Sequence, residues 1–81
     1  MSNYNRVKRP LARRHYNQGR DVYLLPSKAV PGSMWIQPYK INKKDLDGED
    51  FAKVVNLFER YNCNPTVGTY THFYIEEVTN D

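Results

Sequence analysis

The segment that decides the fold is residues 47–61, which read DGEDFAKVVNLFERY. Four apolar side chains recur at the i, i+3, i+4, i+7 spacing of one buried helix face, namely Phe51, Val54, Val55 and Phe58, and Leu57 and Tyr61 widen this face. Asp47 is a suitable N-cap, because its side-chain oxygen can accept a hydrogen bond from the first helical turn. Asn62 tolerates the left-handed conformation that ends many helices, and Pro65 prevents continuation. The pattern therefore predicts an α-helix over residues 47–61.

Three other segments have the composition of β-strands. Residues 21–25 are mainly apolar and end at Pro26, and residues 33–41 alternate between two faces. Residues 66–78 also alternate and are rich in β-branched and aromatic side chains, so they predict the longest strand. The order β-β-α-β predicts a small single α+β domain over residues 21–81. We expect an antiparallel or mixed three-stranded sheet with one helix packed on one face.

The first twenty residues carry six cations and no carboxylate: Arg6, Lys8, Arg9, Arg13, Arg14 and Arg20. Residues 45–81 have the opposite balance, with eight carboxylates against two cations. The formal charge is thus +6 over residues 1–20, +3 over residues 21–44 and −6 over residues 45–81. We interpret residues 1–20 as a basic N-terminal arm, which is either a short helix over residues 10–18 or disordered until it binds. A local positive field of this kind attracts polyanions.

Aromatic side chains make up 14% of the chain and include seven tyrosines, an excess that favours binding surfaces as well as a core. If the helix covers the sheet face that carries Ile36, Phe73 and Ile75, the opposite face presents a row of rings: Trp35, Tyr39, Tyr70, His72 and Tyr74. Bases of single-stranded nucleic acid stack on such rings for about 1–3 kcal/mol each. The same face has two other interpretations, coverage by the arm or a second copy of the chain, and binding of another protein.

The sequence carries no recognisable spacing of a catalytic, cofactor or metal site. The four glycines are scattered singly, so they form no glycine-rich phosphate loop. Residues 45–50 are acidic but lack the glycine and glutamate spacing of a calcium loop. One cysteine and two histidines at scattered positions do not supply the four ligands of structural zinc. We expect a protein that is not an enzyme and that needs no cofactor or metal.

Cys63 is the single cysteine, which excludes an internal disulfide and favours a reducing, cytoplasmic setting. No apolar run reaches the roughly 18–20 residues that span a bilayer. Residues 1–20 also lack the apolar stretch of a secretory signal. We therefore expect a cytoplasmic protein with no membrane partner.

Together these features favour a binding role. We expect a small protein that docks on a larger protein or nucleoprotein complex, as a modulator or inhibitor of nucleic-acid machinery of the kind that phages and mobile elements encode. In one alternative, it is a single-stranded nucleic-acid or RNA-binding module whose arm cations contact the backbone while the ring row stacks on bases. In a second alternative, it is a structural protein of virion assembly. The sequence leaves open whether the chain forms a homo-oligomer.

Overall fold

Six secondary-structure elements build the fold in the computed structural model, which describes residues 2–27, 38–63, 66 and 68–78. They are, in chain order, β1 (Ser2–Val7), α1 (Arg9–Asn17), β2 (Val22–Pro26), β3 (Tyr39–Ile41), α2 (Phe51–Asn62) and β4 (Thr71–Val78). The strands form one antiparallel sheet in the order β1-β4-β2-β3. The predicted α+β class is confirmed. The prediction of three strands and one helix is wrong, because the described part of the chain holds four strands and two helices.

The basic N-terminal segment contributes a strand to the sheet. β1 pairs with β4 from Ser2 opposite Val78 to Val7 opposite Phe73. The fold prediction left residues 2–7 outside the sheet, because amide and charged side chains give this segment little strand propensity of its own. Pairing with β4 stabilises it instead. β1 lies at the sheet edge, where a charged side chain such as Arg6 is tolerated because one side of the strand has no neighbour.

Helix α1 follows at once and nearly coincides with the short helix considered for residues 10–18. Pro10 lies in its first turn, where the missing N–H group costs nothing. The helix ends in a Schellman motif around Gly19: the Gly19 N–H donates to the Tyr16 carbonyl, and the Arg20 N–H donates to the His15 carbonyl, both at 3.0 Å. Gly19 has a φ of +78°, a left-handed conformation that glycine adopts without strain.

Helix α2 begins four residues later than the sequence pattern predicts. Asp50 is its N-cap, whereas Asp47 and Gly48 have φ values of +55° and +75° in the preceding turn and cannot start a right-handed helix. Asn62 remains helical, and its side-chain amide donates to the Phe58 carbonyl at 3.0 Å. The helix ends at Cys63 in an extended conformation, so the predicted left-handed cap at Asn62 is wrong.

Both helices cover the same face of the sheet and share one core with it. The buried members of that core are Ala12, Tyr16, Val22, Leu24, Ile41, Phe51, Val55, Phe58 and Phe73. The Tyr16 and Phe51 ring centroids lie 5.5 Å apart, and those of Phe51 and Phe73 lie 5.7 Å apart. The Tyr16 hydroxyl also donates to the Glu49 carbonyl at 2.6 Å, which ties α1 to the start of α2.

The opposite sheet face is partly buried as well. Leu25 and Tyr74 are 1% and 7% exposed although they lie outside the core beneath the helices. Successive strand residues point to opposite faces, so Leu25 and Tyr74 face away from Leu24 and Phe73.

The predicted strand over residues 33–41 is described only from Tyr39 onward, and Trp35 lies outside the described residues. β4 begins at Thr71 rather than at residue 66.

Candidate functional site

A continuous basic surface runs from α1 to the turn after β3. Arg13 and Arg14 line one surface groove together with Asn17 and Gln18. A second groove shares Asn17 and Gln18 and is lined by two further cations, Lys43 and Lys44. Among the described residues, no carboxylate lines either groove. We call the four cations the basic surface: Arg13, Arg14, Lys43 and Lys44.

The two halves of the basic surface are held together by Asn42. Its side-chain amide group donates to the Gly19 carbonyl at 3.0 Å and to the Asp21 carboxylate at 2.7 Å, while its side-chain oxygen accepts from the Lys44 N–H at 2.8 Å. The stem of Lys44 passes close to Gly19, because a Cβ atom at position 19 would lie only 3.1 Å from Lys44 Cε. The turn that carries Lys43 and Lys44 therefore packs against the end of α1.

The four cations of the basic surface form no ion pair within the described part of the chain. Within the described ranges, the one ion pair joins Lys53 Nζ to Glu49 Oε1 at 4.0 Å, on a different part of the molecule. Arg13, Arg14 and Lys44 are exposed. Unpaired, exposed guanidinium and ammonium groups keep their capacity to bind an external anion, and the planar guanidinium fork matches phosphate oxygens in particular.

The other predicted cations divide into two groups. Arg6, Lys8 and Arg9 line a groove beside β4 that has no carboxylate among its described lining residues. The guanidinium carbon of Arg9 lies 6.0 Å from the centre of the Phe51 ring, at the outer limit of a cation–π contact. Arg20 lies apart from them, in a groove that is also lined by Asp21 and Glu76. The negative charges of these two carboxylates offset the positive charge of Arg20.

Three of the predicted ring residues come together on the sheet face away from the helices. The ring centroids of Tyr70 and His72 are 5.1 Å apart and those of His72 and Tyr74 are 6.5 Å apart, with the rings edge to face. Tyr4 and Tyr23 make a further edge contact at 5.1 Å. Tyr74 is buried, whereas Tyr70 is 56% exposed. Of these three predicted residues, Tyr70 alone presents a largely open ring.

Tyr39 does not join this row. It lies opposite Leu24 in the β2–β3 register, and paired residues of antiparallel strands point to the same face. That face is the helix-covered one, where the Tyr39 ring lies 5.9 Å from the Phe58 ring. The prediction that placed Tyr39 with the other rings is therefore wrong, because the strand register puts Tyr39 on the helix-covered face.

The surroundings of His72 disfavour its charged form. Burial, and secondly the positive charge of Arg6, lower its pKa from the ordinary value of 6.5. Its Nε2 atom is buried and has no hydrogen-bond partner among the described residues. The cations that line the groove of His72 are Arg6, Lys8 and Arg9.

The described residues contain no group of three or more His, Cys, Asp or Glu side chains that could hold a metal ion. The Cys63 thiol lies 3.9 Å from the Thr71 hydroxyl, and burial raises the pKa of that thiol, which disfavours the reactive thiolate. None of the described helices is long and apolar enough to cross a membrane.

The sequence prediction missed Lys43 and Lys44 as site residues. The available signal was the net positive charge of residues 21–44, but their position beside the end of α1 arises from tertiary contacts such as the bond between Asn42 and Gly19. Comparison of the chain with protein-family models, with curated proteins and with solved structures yields no match. Function is therefore inferred from the surfaces of the molecule.

Proposed function

We propose that this chain is a non-enzymatic binding protein that docks on a nucleoprotein complex and contacts its nucleic-acid phosphates through the basic surface. The observation that supports the proposal is the convergence of Arg13, Arg14, Lys43 and Lys44 in two adjoining grooves without a lining carboxylate among the described residues. The pairs come from segments far apart in the sequence, and Asn42 links the end of α1 to the turn that carries the lysines.

Contact through phosphates has a measurable signature, because cations that neutralise phosphates release bound counterions. Affinity for a single strand falls with salt at a logarithmic slope of about −0.7 for each phosphate engaged. Four engaged cations predict a slope near −3, which is a loss of roughly 50-fold between about 50 and 200 mM salt. For a duplex the slope for each phosphate is steeper, about −0.9.

The test is fluorescence anisotropy of a labelled single-stranded RNA and a labelled DNA duplex at both salt concentrations. The double variant Arg13→Gln/Arg14→Gln should roughly halve the salt slope, because two of four cations are removed. The matched control is Lys53→Gln/Arg60→Gln, which removes two exposed cations of α2 outside the basic surface. Absence of binding at the lower salt concentration, or equal loss in both variants, would overturn the proposal.

A second candidate function is a single-stranded nucleic-acid module. Tyr70 favours it, because its exposed ring contacts His72, which lines the groove of Arg6, Lys8 and Arg9. A base stacked on Tyr70 predicts that Tyr70→Ala weakens single-strand binding by about 5-fold or more. Duplex binding should not change under this alternative. If Tyr70→Ala leaves the affinity for both probes unchanged, base stacking on Tyr70 is excluded and phosphate contact explains the binding better.

A further inference from the structure

An apolar groove runs along the outer side of α2. The described residues include five exposed large hydrophobic side chains, and three of them line this groove: Tyr39, Leu57 and Tyr61, at 57%, 57% and 77% exposure. The groove floor includes the half-buried Leu46 and Val54, and the groove volume is about 650 Å³. Single exposed hydrophobic residues are ordinary, whereas a cluster of them marks a contact surface.

The spacing of these side chains gives the groove a direction. Val54, Leu57, Phe58 and Tyr61 repeat at i, i+3, i+4 and i+7 along α2. Residues at this spacing lie on one side of a helix over two turns. A groove that follows a helix in this way suits the apolar side of an elongated peptide segment, such as a partner helix.

The groove rim is acidic. Asp45, Asp47 and Glu49 line it together with one cation, Lys53, which pairs with Glu49. The turn after β3 divides its side chains between two surfaces, because Lys43 and Lys44 line one of the basic grooves whereas Asp45 and Asp47 line this apolar groove. The rim therefore repels polyanions and attracts cations.

We propose that this groove binds a basic amphipathic segment of a partner protein. Apolar side chains of the segment would cover Leu57, Tyr61 and Tyr39, while its lysines or arginines would lie against the acidic rim. This inference goes beyond the proposed function, because it adds a protein contact on a separate surface of opposite charge. It stands or falls independently of phosphate binding.

A second copy of the chain is a poorer occupant than a partner protein. Helix α1 is the basic helix of the described chain, and its apolar residues Ala12 and Tyr16 are fully buried in its own core. Leu11, at 39% exposure, is its one exposed large apolar side chain, so α1 offers positive charge without an apolar row to match the groove. The complementary segment must carry both features, and among the described residues α1 does not.

The test is a display library of random peptides of about 16 residues, roughly four helical turns, selected on the full chain. Counter-selection uses Leu57→Ser/Tyr61→Ser, two exposed positions whose change should leave the core intact. We expect enriched peptides with a net positive charge and apolar residues spaced three or four apart. A synthetic consensus peptide should bind this variant at least about tenfold more weakly than the unaltered chain.

Two further variants test whether the apolar groove and its acidic rim account for peptide binding. Leu11→Ser/Tyr70→Ser removes the two exposed large hydrophobic residues outside the groove and should leave peptide affinity unchanged. Asp45→Asn/Asp47→Asn should weaken it about threefold or more at low salt and little at high salt. Neutral or acidic consensus peptides, no enrichment over counter-selection, or equal weakening in the Leu11/Tyr70 control would overturn the proposal. So would a dimer in sedimentation velocity that Leu57→Ser/Tyr61→Ser disperses.

Discussion

The side-chain amide of Asn42 donates a 3.0 Å hydrogen bond to the backbone carbonyl of Gly19. This bond joins the turn that follows β3 to the end of α1, two segments that are distant in sequence. The same side chain also bonds Asp21 and the Lys44 backbone. One uncharged residue thereby bridges the two segments that carry the basic surface.

Replacing Asn42 should therefore affect both stability and binding. Asn42→Ala removes three hydrogen bonds and leaves the partly buried Gly19 carbonyl unpaired, so we expect a loss of about 1–2 kcal/mol in the free energy of unfolding. RNA affinity at low salt should fall by roughly threefold as Lys43 and Lys44 lose their fixed position. Urea unfolding and anisotropy measure the two effects. Asn56→Ala, at an exposed position of α2, should change neither.

Two glycines provide a matched test of the contact between Gly19 and Lys44. Gly19 and Gly68 have φ values of +78° and +76°, so an alanine at either position costs about 1–2 kcal/mol of stability. A Cβ at position 68 meets nothing within 4 Å, whereas at position 19 it meets the Lys44 stem. We expect only Gly19→Ala to lower RNA affinity beyond its effect on stability. Equal affinity in the two variants would show that the position of Lys44 is unimportant.

The hydroxyl of Tyr16 should contribute to stability but not to binding. Tyr16 is fully buried, and its hydroxyl donates to the Glu49 carbonyl at 2.6 Å. Tyr16→Phe keeps the ring in the core and removes that bond, so unfolding should become easier by about 1–2 kcal/mol. Tyr61→Phe is the control: its side chain is 77% exposed, and we expect a change within about 0.5 kcal/mol. Both are measured by denaturant unfolding.

Acidification should destabilise the fold through His72. Its pKa in the folded protein is below the ordinary 6.5, because of burial and of Arg6. The unfolded chain consequently binds a proton more readily, so the contribution of His72 to stability is complete above pH 6.5 and is lost as the pH falls below that value. The melting temperature should drop more between about pH 7.5 and 5.5 in the parent than in His72→Gln. An equal drop in the parent and in His72→Gln would contradict the assignment.

Local sequence patterns predicted α2 because its apolar spacing is regular. The start was misplaced because Asp47 and Asp50 are equally good caps, and only the left-handed backbone at Asp47 and Gly48 decides between them. β1 could not be predicted in the same way. Its partner is β4, with Ser2 opposite Val78. A strand that is stabilised by a distant partner can have residues of low intrinsic strand propensity.

The candidate site was predictable in part for a related reason. Charge is a property of the residues themselves, so the cations of the N-terminal segment could be named from the sequence. Their neighbours in space could not, because the turn that carries Lys43 meets the end of α1 through tertiary contacts, among them the bond between Asn42 and Gly19. The misplacement of Tyr39 has the same origin, since its face depends on its pairing with Leu24. A shift of one residue in that register would have moved it to the other face.

The central position of β4 has a consequence for the order of folding. β4 is the last strand in the described chain, yet it hydrogen-bonds both β1 and β2. During translation, β1 therefore has no strand partner until the ribosome has released residues 71–78. Contacts between such distant segments slow folding, and an unpaired strand is prone to associate with other chains in the meantime. Nascent chains stalled before Thr71 should consequently bind chaperones, whereas chains that expose β4 should resist protease.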